Sequence, residues 1–201
     1  MKLYFSPGVC SLASHITLRE LNLPVDLVKV DLRTKKTSSG EDYAVINKKG
    51  YVPALQFNDG SLLTEGVAIL QYLADQKPEA GLVPANGTKE RYKLQEWLTF
   101  INSEIHKAYS PLFDASAPEQ TKKTCLEKLD KRHNFVAEQL AHQDFLMGNQ
   151  FTVADAYLFT TMTWAGFFNI DFAKWPVLKD YFSRIAARAS VQAARAAEKA
   201  A

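Results

Sequence analysis

Apolar and polar positions change their rhythm several times along this chain, and each change marks an element. Lys2-Leu3-Tyr4-Phe5 predicts a short strand, closed by the turn Ser6-Pro7-Gly8. Residues 10–22 carry helical spacing up to Pro24, and the β-branched run 25–32 predicts a second strand. A polar loop follows. In it Ser38 and Glu41 lie three apart, the spacing of a capping box, and predict a short helix over 41–47. Asn58-Asp59-Gly60 between two apolar runs predicts a hairpin whose return strand contains Leu62-Leu63. From Glu65 the apolar residues Val67, Ile69, Leu70, Leu73 and Ala74 recur at helical spacing.

Residues 77–87 are rich in Pro, Gly and Ala and have no period, which predicts a linker; beyond them only helical patterns occur. Thr88 is placed to cap a long helix reaching about residue 113, and another helix is expected over 119–141. Thr152 and Asp155 form a second capping-box pattern ahead of an apolar run. The last two helices are expected to start near Pro176 and Ser190, and the Ala-rich end to be weakly packed and frayed. The expected architecture is α/β plus all-α: an α/β domain over 1–78, a linker over 79–87 and a helical domain over 88–201.

Composition narrows the function. With 201 residues, 47% of them hydrophobic, the chain can build its core without disulfides. Its net charge of +2 and the lack of a dense Lys/Arg block argue against nucleic acid as a partner. The N-terminus has no basic-then-apolar secretory pattern and no apolar run could span a bilayer, so the expectation is a cytoplasmic protein with reduced thiols and no membrane partner. No His/Cys cluster has the spacing of metal ligands, so no metal is expected.

Cys10 is the first chemical candidate. The thiolate is the reactive form of cysteine, and a strand-turn-helix start places Cys10 at the positive end of a helix, where the anion is favoured. A buried apolar thiol is the alternative from residue type alone. The fourth position after the turn is Ala13, not a second cysteine, so a mixed disulfide here would be resolved by an external thiol. Cys125, in a predicted helix, is read as core packing.

Five segments in order, the strand-turn-Cys10 start, YVPAL (51–55), LTEGVAILQYLAD (63–75), EWLTFINSEIHK (96–107) and FTVADAYLF (151–159), together resemble the glutathione transferase superfamily, and most of all its bacterial beta class. The resemblance spans nearly the whole chain. It departs from the family pattern at Lys48 and Ala189, where relatives often carry proline, and at Thr99, where many bacterial members have asparagine. It implies a thioredoxin-like N-terminal domain, a helical C-terminal bundle, a homodimer, and glutathione as co-substrate. In that family the cysteine matching Cys10 forms a glutathione adduct. Val52, before a cis proline at Pro53, bonds the cysteinyl backbone of glutathione. Glu65 meets the α-amino group, and Gly66 offers its N–H to the γ-glutamyl carboxylate without the hydroxyl that many members supply. Lys35, or its neighbour Lys36, meets the glycine carboxylate.

At about 100° per residue, Thr99, Ser103 and His106 fall within an arc of about 60° and form one polar stripe on the long helix, with Glu104 turned away from it. By resemblance Ser103 and Glu104 reach glutathione in the partner subunit, and His106 faces the Cys10 sulfur with Lys107 adding positive potential. Phe5, Phe113, Trp164 and Phe168 are candidates to wall a pocket for a small apolar electrophile. The reading is a glutathione transferase that stabilises the glutathione thiolate and presents it to that electrophile. A glutathione-dependent thiol-disulfide oxidoreductase or reductive dehalogenase using Cys10 covalently is the first alternative, and a non-catalytic binding protein on the same fold is the second.

Overall fold

The computed structural model describes residues 1–201. The chain divides into two units, Met1–Gly81 with Ala187–Ala201, and Leu82–Ala186.

In the first unit β1 (Lys2–Phe5) lies at the centre of a five-stranded mixed sheet. It pairs in parallel with β2 (Asp26–Asp31) after a crossover through α1 (Ser11–Glu20). On its other edge it pairs antiparallel with β4 (Ala54–Gln56), which continues through the expected hairpin to β5 (Leu62–Thr64). The register sets Leu3 beside both Leu27 and Leu55. Because side chains alternate along a strand, Leu3, Phe5 and Leu55 go into the core, where α1 brings Ile16 and α3 (Gly66–Asp75) brings Ile69 and Leu73. In the hairpin loop Gly60 takes φ 85°, a conformation glycine adopts without strain.

Two local expectations change. The short helix α2 (Tyr43–Ile46) is capped by Asp42, whose carboxylate accepts from the Ala44 N–H at 2.9 Å, not by a box begun at Ser38. The cause is a loop closed on Thr37: Glu41 donates its N–H to Thr37 Oγ1, and Thr37 donates its N–H to the Glu41 carbonyl. That closure frees Lys36–Thr37 to form β3 against β2 and delays the helix.

The larger change is at the C-terminus. The predicted frayed tail is a twelve-residue helix, α9 (Ala189–Ala200), packed on α1, so the helical domain does not run to residue 201. Val191, Ala194 and Glu198 share one face and are buried. At the start of α9 the Arg188 guanidinium holds Glu20 through Nε at 2.7 Å and Nη2 at 3.1 Å, and Ser190 donates to the same carboxylate. Burial alone would raise the Glu20 carboxyl; the bonds from Arg188 and Ser190 bring it below its ordinary range.

The second unit is helical. Thr88 caps α4 (Lys89–Phe100) by accepting from the Arg91 N–H, as expected. The predicted single helix to residue 113 is interrupted by a π-helical turn at Ile101–His106 before α5 (Lys107–Phe113). Behind it pack α6 (Glu119–Leu140), α7 (Val153–Met162) and α8 (Pro176–Ala186). Every residue of α7 is buried, and the Thr152–Asp155 capping box forms at its start. No helix is long and apolar enough to cross a membrane.

Candidate active site

Cys10 is the N-cap residue of α1, and its turn is assembled locally. Ser11 Oγ accepts from the Ser6 N–H at 3.2 Å and donates to the Ser6 carbonyl at 3.1 Å, folding the chain back on itself across Pro7 and Gly8. The partly exposed Cys10 thiol donates to the Val52 carbonyl at 3.1 Å.

A third tie comes from the far end of the chain. The Gly8 N–H donates to Glu198 Oε2 at 2.9 Å, while Glu198 Oε1 faces His15 Nδ1 at 3.2 Å. Arg19 donates to His15 Nε2, so that nitrogen is the acceptor and Nδ1–H points at the carboxylate. Glu198 and His15 are both buried. Glu198→Gln should therefore lower the unfolding free energy by about 1–3 kcal/mol, the cost of replacing a buried charged acceptor by a neutral one. Urea unfolding of the variant and the parent measures it, and equal midpoints would mean that the Glu198 charge adds nothing to the docking of α9.

Val52-Pro53 is a cis peptide bond, as the resemblance implies. The segment ahead of it is fixed through one carbonyl: Tyr43 Oη and Asn47 Nδ2 each donate to the Tyr51 oxygen at 2.8 Å. Lys35, at φ 56°, sends its ammonium to the Gly50 carbonyl at 2.9 Å, next to this segment, whereas Lys36 is an exposed residue of β3.

Glu65 is the N-cap residue of α3 but does not cap it with its side chain; φ of 69° turns the carboxylate outward. There it meets Lys49 Nζ at 2.7 Å. Gly66 opens the helix, and a β-carbon at this position would lie 3.8 Å from Pro53 Cγ, an ordinary contact.

The remaining candidates lie in the second unit. Ser103 Oγ donates to the Thr99 carbonyl at 2.9 Å, and both residues are exposed, as the stripe predicts. His106, the last residue of the π-helical turn, is half-buried instead. Its Nδ1 is 2.7 Å from Tyr157 Oη, which donates to Asn102 Oδ1 at 2.9 Å. Tyr157 has one proton to give, so His106 supplies the other, and Nε2 is left as the acceptor. Burial, reinforced by Lys107, pulls the His106 imidazole down to about 4. At neutral pH it is therefore uncharged, with the Nε2 lone pair free to accept a proton. Glu104 is taken up by Arg132 at 2.6 Å and Lys128 at 3.2 Å, and their hydrogen bonds hold its carboxyl below the ordinary range.

Of the four aromatic pocket candidates, Phe113, Trp164 and Phe168 gather with Tyr109 and the His106 ring, at centroid distances of 4.8 to 5.9 Å. Phe5 does not join them: β1 turns it into the core, fully buried beside His15. Cys125 is half-buried, one turn before buried Leu129 on the same face of α6.

Sequence reasoning missed Tyr157 and Asn102, which orient His106, and Glu198, which holds the Cys10 turn. Their partners are 51 to 190 positions away or are backbone groups, and no local spacing signals such pairs. It also missed Lys49. A basic residue two positions before the YVPAL motif was the available signal.

Two family models match the chain: "Glutathione S-transferase, N-terminal domain" over residues 8–76 and "Glutathione S-transferase, C-terminal domain" over residues 100–189. Glutathione S-transferase GstA of Escherichia coli O157:H7 is 46% identical over 198 residues, covering 98% of each chain. Among solved structures, a sphingomonad glutathione S-transferase complexed with glutathione superposes with a TM-score of 0.96 at 45% identity over 100% of both chains. The bacterial beta-class enzyme of Sphingomonas chungbukensis gives 0.95 at 45% identity over 98% of each.

Proposed function

From the premise that this chain belongs to the glutathione S-transferase family, with beta-class structures matching it end to end, we propose that it holds glutathione at Cys10, Val52, Lys35, Glu65 and Gly66 and transfers its thiolate to small apolar electrophiles. The observation that carries the reading is the meeting of the Cys10 sulfur, at the mouth of α1, with the carbonyl that precedes cis-Pro53. A sulfur bound beside that helix end is favoured as an anion, which is the nucleophile of the transfer. The segment through Val52, leading into β4, offers backbone groups to an extended tripeptide, in the manner of an added strand. The negative charge on Glu65 suits an α-ammonium group. His106, neutral, with Nε2 as its acceptor, is the proposed partner for a thiol proton. The cluster of Phe113, Trp164 and Phe168, with Phe113 56% exposed, supports an apolar second substrate.

A homodimer is part of the reading. A groove of about 310 Å³ on the second unit is floored by Trp97, Phe100 and Phe135, the last 41% exposed, and edged by Lys93, Glu96 and Arg132. Aromatic residues with charges of both signs around them suit a self-complementary interface. Ser103 and Glu104 are proposed as glutathione contacts on that account, and the cytoplasm as the place of action.

Glu65→Gln tests the glutathione site. Losing one exposed charge-assisted contact costs about 1–2 kcal/mol, or roughly 5- to 30-fold in affinity. Titration calorimetry with glutathione measures it, and unchanged affinity would remove Glu65 from the site. Covalent use of Cys10 is the second reading, favoured by the partly exposed thiol at a helix end.

A further inference from the structure

We infer that Lys49 is a glutathione-specificity residue, and that Lys49 and Glu65 together receive the zwitterionic α-amino-acid end of the γ-glutamyl group, Glu65 taking the ammonium and Lys49 the carboxylate. The inference rests on the glutathione reading above.

Lys49 Nζ lies 2.7 Å from Glu65 Oε1 and 3.0 Å from Thr64 Oγ1, just outside the start of α3. A cation there is out of keeping with the helix, whose positive end it faces. The Glu65 carboxylate is taken up by the ammonium and makes no hydrogen bond to the helix end, so two positive features share one anion. The Glu65 carbonyl accepts from Ala68 and Ile69, so the helix is closed behind it, while the N–H groups of Gly66 and Val67 lie in the first turn, where no intrahelical acceptor exists. Gly66 contributes no side-chain donor. A second anion would complete this arrangement.

The geometry permits the exchange. The two side chains are 51% and 67% exposed, so the pair is weakly held and open to an incoming ligand. An α-amino acid carries one ammonium and one carboxylate on the same carbon. Its ammonium replaces Lys49 on Glu65, and its carboxylate takes the released Lys49, so each charge finds an opposite one and the net charge of the site does not change. A ligand lacking either group leaves one of the two protein charges without its new partner.

The test sets protein variants against ligand analogues. Calorimetric affinities are measured for the parent and Lys49→Met with glutathione and with γ-aminobutyryl-cysteinyl-glycine, which lacks only the α-carboxylate. Lys49→Met should weaken glutathione roughly 3- to 10-fold, an effect that shrinks with added salt, and should leave the decarboxylated analogue within about twofold of the parent. Equal losses for both ligands would mean that Lys49 acts only by shaping the loop. Tighter glutathione binding by Lys49→Met would mean that Lys49 merely competes for Glu65. Either result overturns the inference while leaving the glutathione site standing. A parent protein that binds no glutathione would overturn that site, and this assignment with it.

Discussion

Asp155→Ala should lower the unfolding free energy by about 3–5 kcal/mol, the range reached when a buried polar network loses its central member. Asp155 is fully buried and accepts four hydrogen bonds, from the Leu146 N–H, the Thr152 N–H, the Thr152 hydroxyl and the Tyr181 hydroxyl, all between 2.8 and 2.9 Å. A carboxylate offers about four lone-pair sites, so the group is saturated. Burial pushes its carboxyl up, and the four donors oppose that push. The same burial, with Asp155 alongside, drives the Tyr181 hydroxyl upward, so it stays a donor.

Alanine strands all four donors in a space that water does not reach, and each such loss costs about 1–3 kcal/mol without full additivity. It also uncaps α7, the central helix of the second unit, and a lost cap alone is worth about 0.5–2 kcal/mol. Asp155→Asn keeps one acceptor oxygen and should fall between alanine and the parent. Urea unfolding followed by far-ultraviolet circular dichroism measures the change as a shift of the midpoint at constant slope. A loss below about 1 kcal/mol would mean that helix packing holds the segment without the network.

Cys10→Ala should abolish the covalent glutathione adduct. In the parent, glutathione disulfide is the oxidant: the Cys10 thiolate attacks one of its sulfurs, the new mixed disulfide keeps one glutathione, and the other leaves as thiolate. In the free protein the thiol donates to the Val52 carbonyl, so ionisation gives up that bond and relies on the helix end. Intact-mass measurement after incubation with glutathione disulfide should detect one adduct per chain, removed by dithiothreitol, and none in Cys10→Ala. An adduct of equal extent in the variant would move the reactivity to half-buried Cys125. Conjugation should fall but persist, because glutathione brings its own thiol and the proposed contact with Glu65 is untouched. Complete loss of conjugation, with glutathione affinity intact, would make Cys10 essential to both chemistries.

Much of this molecule was legible in the order of its residues, because the signals concerned are short-ranged. A strand meeting a turn at Pro7-Gly8 points to a helix start at Cys10 from neighbouring residues alone. Thr152 and Asp155, three apart, are within reach of each other as soon as a helix starts between them. Asn58-Asp59-Gly60 turns back by its own backbone preferences. What depended on distant partners was settled only by the tertiary structure. The Ala-rich tail looks poorly packed by composition, yet Glu198 finds Gly8 across 190 positions and Arg188 finds Glu20 across 168. His106 belongs to a polar stripe by spacing, but the packed helices set it against Tyr157 and Trp164, where burial lowers its imidazole. Phe5 looks like a pocket wall, but the sheet register turns it inward. Local propensity depends on neighbours in sequence, which the chain lists directly; burial and the pairing of charges depend on neighbours in space, which exist only once the helices and strands have packed.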